Sequence, residues 1–263
     1  MNLEKILLPI IKDAAKIMLR EHSVDGNEVA SKLGDANFVT VYDKAVQDFL
    51  LTEITKKIPN ATFVAEEQEN DYSILSGEYV FVIDPIDGTT NFIHGYKHSS
   101  ISVACISKNE IVFGAVYNPY LDEMFYATRG GGAYVNGEKM TVSEREPIDS
   151  VCVFGSSPYY KEELGEKSFE ILKNVFYGIA DIRRMASAAI DLCYVAAGRA
   201  ESFFELRLSP WDFAAAALII TEAGGIITDL SGNPITLHAP CSVIASNKNC
   251  YSYMLDAAKR AGC

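Results

Sequence analysis

Apolar residues recur at Leu3, Ile6, Leu7, Ile10, Ile11, Ala14, Ile17 and Met18, close to the 3.6-residue period of a surface helix over residues 2–22. Pro9 falls inside this pattern and is expected to bend or restart the helix. Residues 23–38 are polar and contain glycine, the composition of a mobile loop, and include Lys32. Thr40-x-x-Asp43 then has the spacing of a capping box. The second helix it starts runs through Val46, Phe49, Leu50 and Ile54 and stops before Pro59. Ala61 to Ala65 reads as a short strand, followed at once by Glu66 and Glu67. Tyr79 to Ile83 is an apolar, β-branched run suited to a fully buried strand, which Pro85 should end by removing the next ladder donor. Residues 99–106, 111–118 and 122–128 alternate as antiparallel strands do, and Asn136-Gly137 marks a tight hairpin turn.

From about residue 150 the rhythm changes to strand then helix. Strands are expected at 151–155, 179–183, 202–206, 226–228 and 243–245, and helices at 161–176, 187–197, 212–223 and 251–261. The fold class is therefore α/β, with an α+β first half over residues 1–146 and an α/β second half over residues 147–263 sharing an interface.

Composition narrows the function classes. Of 263 residues, 49% are hydrophobic and 22% charged, ample for a sizeable core. A net charge of −12 argues against nucleic acid or an anionic membrane as partner. Six dispersed cysteines with no C-x-x-C pair imply a reduced, cytoplasmic protein without zinc or a disulfide framework. No uncharged apolar stretch approaches the roughly 18 residues of a membrane span. The four histidines show no ligand spacing, and His94 is expected to serve as a loop hydrogen-bonding group. Arg129-Gly-Gly-Gly lacks the G-K-[ST] ending of a phosphate loop and reads as a turn.

The chemistry concentrates in Asp84-Pro85-Ile86-Asp87-Gly88-Thr89-Thr90. Two carboxylates and a carbonyl at the end of a strand suit a hard cation, and the backbone donors that follow suit an anion. A second acidic position, Asp212, precedes an unusually apolar helix and is well placed to be its N-cap. If Glu66, Asp84, Asp87 and Asp212 converged within ~5 Å, each like-charge pair would cost about 3 kcal/mol at an effective dielectric near 20, and all pairs together about 20. A fold stable by ~5–15 kcal/mol cannot carry that uncompensated, so protonation or divalent cations must accompany convergence. Oxygen-only ligands favour Mg²⁺.

The segments Asp84-Pro85-Ile86-Asp87-Gly88-Thr89-Thr90-Asn91-Phe92 and Trp211-Asp212-Phe213-Ala214-Ala215, with Glu66-Glu67 upstream, resemble the signatures of the inositol monophosphatase family, and the resemblance runs end to end. It implies a layered αβαβα phosphatase that is Mg²⁺-dependent, lithium-sensitive and commonly dimeric. By position, it implies one metal on Glu66, Asp84 and the Ile86 carbonyl, a second shared by Asp84, Asp87 and Asp212, and a third, weaker one near Glu66. Glu66 and Thr89 would position and activate the attacking water, with Asp43 supporting them. Gly88 and Thr89 would offer N–H groups to the phosphate. Glu205 would hold a ring hydroxyl, with Ser157, Ser187 and Ala188 lining the same pocket, and Lys32 would lie in a metal-responsive loop. Ala186 and Ala216 stand where the family typically has glycine, and each added methyl narrows the pocket or shifts a helix.

The reaction implied is phosphomonoester hydrolysis, with inositol 1-phosphate as the favoured substrate. Arg183 and Arg184, just before the pocket segment, keep fructose 1,6-bisphosphate and 3′-phosphoadenosine 5′-phosphate in play, because guanidinium groups pair with phosphate oxygens. A rival of another class is a non-catalytic metal-binding interaction protein, which the intact set of acidic residues and Thr89 disfavours.

Overall fold

Helix α1 (Leu3–Leu19) begins with its first-turn Lys5 N–H bonded to Asn2 Oδ1 and buries Leu7, Ile10, Ile11, Ala14, Ala15 and Met18. Its partner is α2 (Val41–Lys57), which turns Val46, Leu50 and Ile54 toward the same core. Pro9 does not restart α1, which runs without a break from Leu3 to Leu19. Pro9 and Lys5 are both exposed, so the carbonyl left without an amide partner can be hydrated, while the apolar stripe on either side holds the helix in place. The capping box at α2 forms as its spacing predicts: Thr40 N–H donates to Asp43 Oδ2 at 2.7 Å.

The computed structural model describes residues 1–20, 29–33 and 37–263, and of 29–33 and 37–39 the backbone alone. The loop expected over 23–38 is in part an antiparallel pair, β1 (Val29–Leu33) and β2 (Asn37–Thr40). Val29, Phe38, Val39 and Thr40 have the β-branched or aromatic character that favours pairing, which overall polarity concealed. The rest of that expected loop and the Lys32 side chain lie outside what is described.

The first sheet has seven strands in chain order: β3 (Thr62–Ala65), β4 (Val80–Asp87), β5 (Ser100–Ser107), β6 (Glu110–Asn118), β7 (Glu123–Thr128), β8 (Gly132–Val135) and β9 (Glu138–Met140). Only β3 and β4 run parallel; each later pair is antiparallel. Asn136 and Gly137, at φ 51° and 87°, make the β8–β9 turn. Contrary to expectation, β4 does not stop at Pro85. Asp84 pairs with Ser102 and Asp87 with Ser100, so β4 carries an extra residue there, and Pro85 sits in the bulge where no ladder donor is needed. The short helix α3 (Thr89–Ile93) follows at once.

The second sheet has the order β11 (Asp181–Arg183), β10 (Val151–Phe154), β12 (Ser202–Leu208), β14 (Cys241–Ser246), β13 (Ile226–Thr228). Between the sheets lie α5 (Ala188–Ala196) and α6 (Pro210–Glu222), whose residues from Phe213 to Ile220 are all buried because both faces meet a sheet. Helices α4 (Lys161–Phe176) and α7 (Lys248–Arg260) cover the far face, completing the αβαβα stack. Helices α6 and α7 begin at Pro210 and Lys248, earlier than their apolar patterns, because the caps Ser209 and Asn247 lie upstream. One apolar cluster runs from Val64 on the first sheet to Ala245 on the second. No helix among the described residues is long and apolar enough to cross a membrane.

Gly114 on β6 lets α6 approach closely. A Cβ there would lie 2.5 Å from the Ala215 carbonyl oxygen, with backbone rather than a flexible side chain in the way. Gly114→Ala should destabilise the fold by about 2–3 kcal/mol through overpacking. A lowered urea midpoint at unchanged slope would register it.

Candidate active site

The β4 bulge brings Asp84 and Asp87 to one end of the first sheet, and Asp84 Oδ1 accepts the Ile86 N–H at 3.1 Å. Parallel pairing ends β3 beside it, where Glu66 N–H bonds the Ile83 carbonyl at 3.2 Å and the Glu66 and Asp84 carboxyl groups are hydrogen-bonded. Asp212 arrives from the second half of the chain. It is not the N-cap of α6: that is Ser209, whose N–H donates to Asp212 Oδ2 at 2.7 Å. This reversed capping role points the acid out of the helix start. Glu66, Asp84, Asp87 and Asp212 all line one cavity of about 350 Å³, together with Ile86, Gly88, Thr89, Ala188 and Glu205.

Burial raises the proton affinity of Asp84 well above the ordinary carboxylate range, and Glu66, Asp87 and Asp212 add to it. Asp212 is raised for the same first reason, with Glu66 and Asp87 contributing. Asp87 is pushed by burial to about 6, restrained by bonds from Ser187 and Ala189. Among the described residues no three acidic, His or Cys side chains already stand as a ligand cluster; the acids line the walls of the cavity. Behind them, buried Asp43 is raised to about 7, with its Thr40 bonds opposing burial. The Thr89 hydroxyl stands 3.1 Å from the Ile86 carbonyl and 3.4 Å from Asp43 Oδ1, and its single proton serves one of them at a time.

On the opposite wall, burial pushes Glu205 to about 7. Its Oε1 accepts from Ser157 N–H at 2.8 Å and Ser157 Oγ at 3.1 Å. Ser157 and Ser187 do not line the cavity as expected: both are buried, one hydroxyl bonded to Glu205 and the other to Asp87. Ala186 adopts φ 68°, a left-handed conformation that suits glycine, and lies on the cavity wall. Ala216 is buried in the α6 core and is absent from that wall. The two arginines part company. Arg183 pairs with exposed Asp181, whereas Arg184 reaches the cavity rim, Nη2 lying 3.2 Å from Ser156 Oγ. Among the described residues, no carboxylate oxygen lies within ion-pair distance of Arg184.

Three site residues escaped the sequence reading. Tyr159, exposed on its outer side, lies over the cavity, where partial loss of water around the phenol and the nearby Glu66, Asp212, Asp84 and Asp87 raise its proton affinity. Its stretch, Pro158-Tyr159-Tyr160, carries no periodic signal. His98 Nε2 lies 3.2 Å from Asp191 Oδ1; both are buried, Asp191 at the cavity wall and His98 behind it, while His94 is exposed. Asp191 did leave a trace, as a lone acid inside the apolar run Ala189-Ile190-Asp191-Leu192-Cys193.

Fold and cavity together define the class. The model of the inositol monophosphatase family matches residues 1–261, and the chain belongs to that family of Mg²⁺-dependent phosphatases. The inositol-1-monophosphatase of Rhizobium meliloti (strain 1021) is 36% identical over 244 residues, 93% of this chain and 91% of that protein. The Nus factor SuhB of Salmonella typhimurium (strain 14028s / SGSC 2262) is 38% identical over 228 residues, 84% of this chain and 82% of that protein. Among solved structures, the IMPase of Thermotoga maritima superposes with a TM-score of 0.90 at 31% identity, covering 100% of this chain and 98% of that one.

Proposed function

We propose that the protein hydrolyses phosphomonoesters of small polyols, inositol 1-phosphate foremost, with Mg²⁺ as cofactor. The observation that carries the reading is the set of four acids, from three separate stretches of chain, lining one cavity in which Glu66 and Asp87 add to the burial that raises the proton affinity of Asp84 and Asp212. Such a site is relieved by a hard cation, and its donors are oxygens alone, as Mg²⁺ requires. Glu66, Asp84 and the Ile86 carbonyl would hold one ion, and Asp84, Asp87 and Asp212 another. Bound Mg²⁺ supplies the charge that acidifies a water and steadies the attacking and leaving oxygens.

The chain's own groups do the rest. Thr89 and Glu66 orient the water, and Asp43 fixes the Thr89 hydroxyl. The Gly88 and Thr89 N–H groups face the phosphate. Glu205, held by Ser157, accepts a hydroxyl of the polyol on the opposite wall. A homodimer and the absence of nucleic-acid and membrane partners belong to the same reading. So does the division into halves at residues 146 and 147.

Arg184 favours a second reading. A guanidinium at the cavity rim, with no carboxylate oxygen within ion-pair distance among the described residues, suits a substrate with a second phosphate. Phosphate release from inositol 1-phosphate, fructose 1,6-bisphosphate and 3′-phosphoadenosine 5′-phosphate, with and without Mg²⁺, tests both. Inositol 1-phosphate should be the best substrate and lose all turnover with EDTA. If a bisphosphate leads, and Arg184→Ala costs it about tenfold or more, the second reading replaces the first. No release from any substrate with Mg²⁺ bound would instead point to a non-catalytic binding protein.

A further inference from the structure

The buried pair His98–Asp191 takes no part in the chemistry above, yet it is tied to the Asp87 carboxylate through one short chain of bonds. Three donors at the start of α5 converge on that carboxylate: Ser187 Oγ, Ala188 N–H at 3.1 Å and Ala189 N–H at 3.0 Å. Ser187 is the N-cap of α5, but its side chain makes no capping bond to its own helix. The helix start therefore depends on Asp87 and on whatever else restrains it. Asp191 supplies the restraint from within the first turn, its N–H bonded to the Ser187 carbonyl at 2.9 Å and its carboxylate to His98. A parallel tie joins the same two segments, since Asn91 Nδ2 donates to the His98 carbonyl at 2.7 Å and to the Met185 carbonyl at 2.6 Å. The rings of His98 and Tyr194 pack edge to face, 6.0 Å apart between centroids.

We propose that His98 is a positioning residue. Acting through Asp191, it locks the first turn of α5 against the segment leading into β5, and so sets the direction in which Asp87 presents its oxygens to the cavity. This rests on the reading of Asp87 as a metal ligand. Groups that orient a ligand in this way typically govern affinity by about 10–100-fold. The hydrogen bond is what matters, so an acceptor at position 191 suffices whether or not it is charged.

The test is Mn²⁺ binding to the full chain without substrate, followed by water-proton relaxation, with amide exchange over residues 187–190 measured alongside. His98→Phe, which fills the space but has no donor, should weaken Mn²⁺ by about 10-fold or more and speed exchange in that turn. Asp191→Ala should do the same. Asp191→Asn keeps the acceptor and should stay within about threefold of the parent. Unchanged Mn²⁺ affinity and exchange in folded His98→Phe would overturn the proposal, as would equal losses in Asp191→Asn and Asp191→Ala. The ligand reading is judged separately by the parent chain. If the parent binds no Mn²⁺, that reading fails, and exchange in the two variants alone decides whether the clamp exists.

Discussion

Asp84→Asn should cut phosphate release by about 10³-fold or more while leaving the metal-free protein as stable as the parent, or more stable. The two effects have one cause. Asp84 is buried beside Glu66, Asp87 and Asp212, and each of them disfavours its charge. An amide removes that repulsion, and its oxygen still accepts the Ile86 N–H. The same change removes a charge on which both proposed metal positions depend, so the charge stabilisation of the attacking and leaving oxygens goes with it. Thermal melting in EDTA and turnover in Mg²⁺, on one preparation, read the two effects together. Asp87→Asn would be a poorer experiment. Both Asp87 oxygens accept N–H groups from the start of α5, so either orientation of an amide sets an NH₂ against a donor and costs stability as well.

Asp84 and Asp87 were legible because their segment combines a strand, a helix breaker and a turn in one continuous string. The residues that complete the cavity come from far along the chain, and a sequence shows no distances. Asp212 illustrates the limit: its spacing before an apolar helix marks a capping role, but only the sheet-to-sheet packing of α6 brings it to the cavity. His98 and Asp191 are separated by 93 residues, and neither stands in a motif, so their contact is a product of tertiary structure alone. The same holds for the arginines, adjacent in sequence and alike in chemistry. Alternation along β11 and the turn after it sends Arg183 to Asp181 and Arg184 to the cavity rim. The fold itself was easier. Helical and strand periods report which face is buried, and burial is what the layers share. The misreadings at Pro9 and Pro85 have a common origin: proline forbids one hydrogen bond, and in each place the surroundings did not need it.

In EDTA the protein should be most stable under mildly acidic conditions and lose stability between pH 5 and 8, the opposite of a protein held together by ionised carboxylates. Asp43 and Glu205 each sit at about 7 in the folded chain, and Asp87 at about 6, all above their unfolded values. For a folded value above the unfolded one, the contribution is complete below the unfolded value of about 4 and vanishes as pH rises through the folded value. Across pH 5 to 8 this amounts to about 2–3 kcal/mol for each of Asp43 and Glu205, and less for Asp87. Mg²⁺ changes the balance because it binds the deprotonated carboxylates and competes with protons for them. It should therefore raise the melting temperature more at pH 8 than at pH 5. Calorimetry across that range, with EDTA and then with excess Mg²⁺, measures both slopes. An equal Mg²⁺ increment at the two pH values would mean that the cation does not bind where the acids share protons, and the assignment of the cavity as a metal site would fall with it.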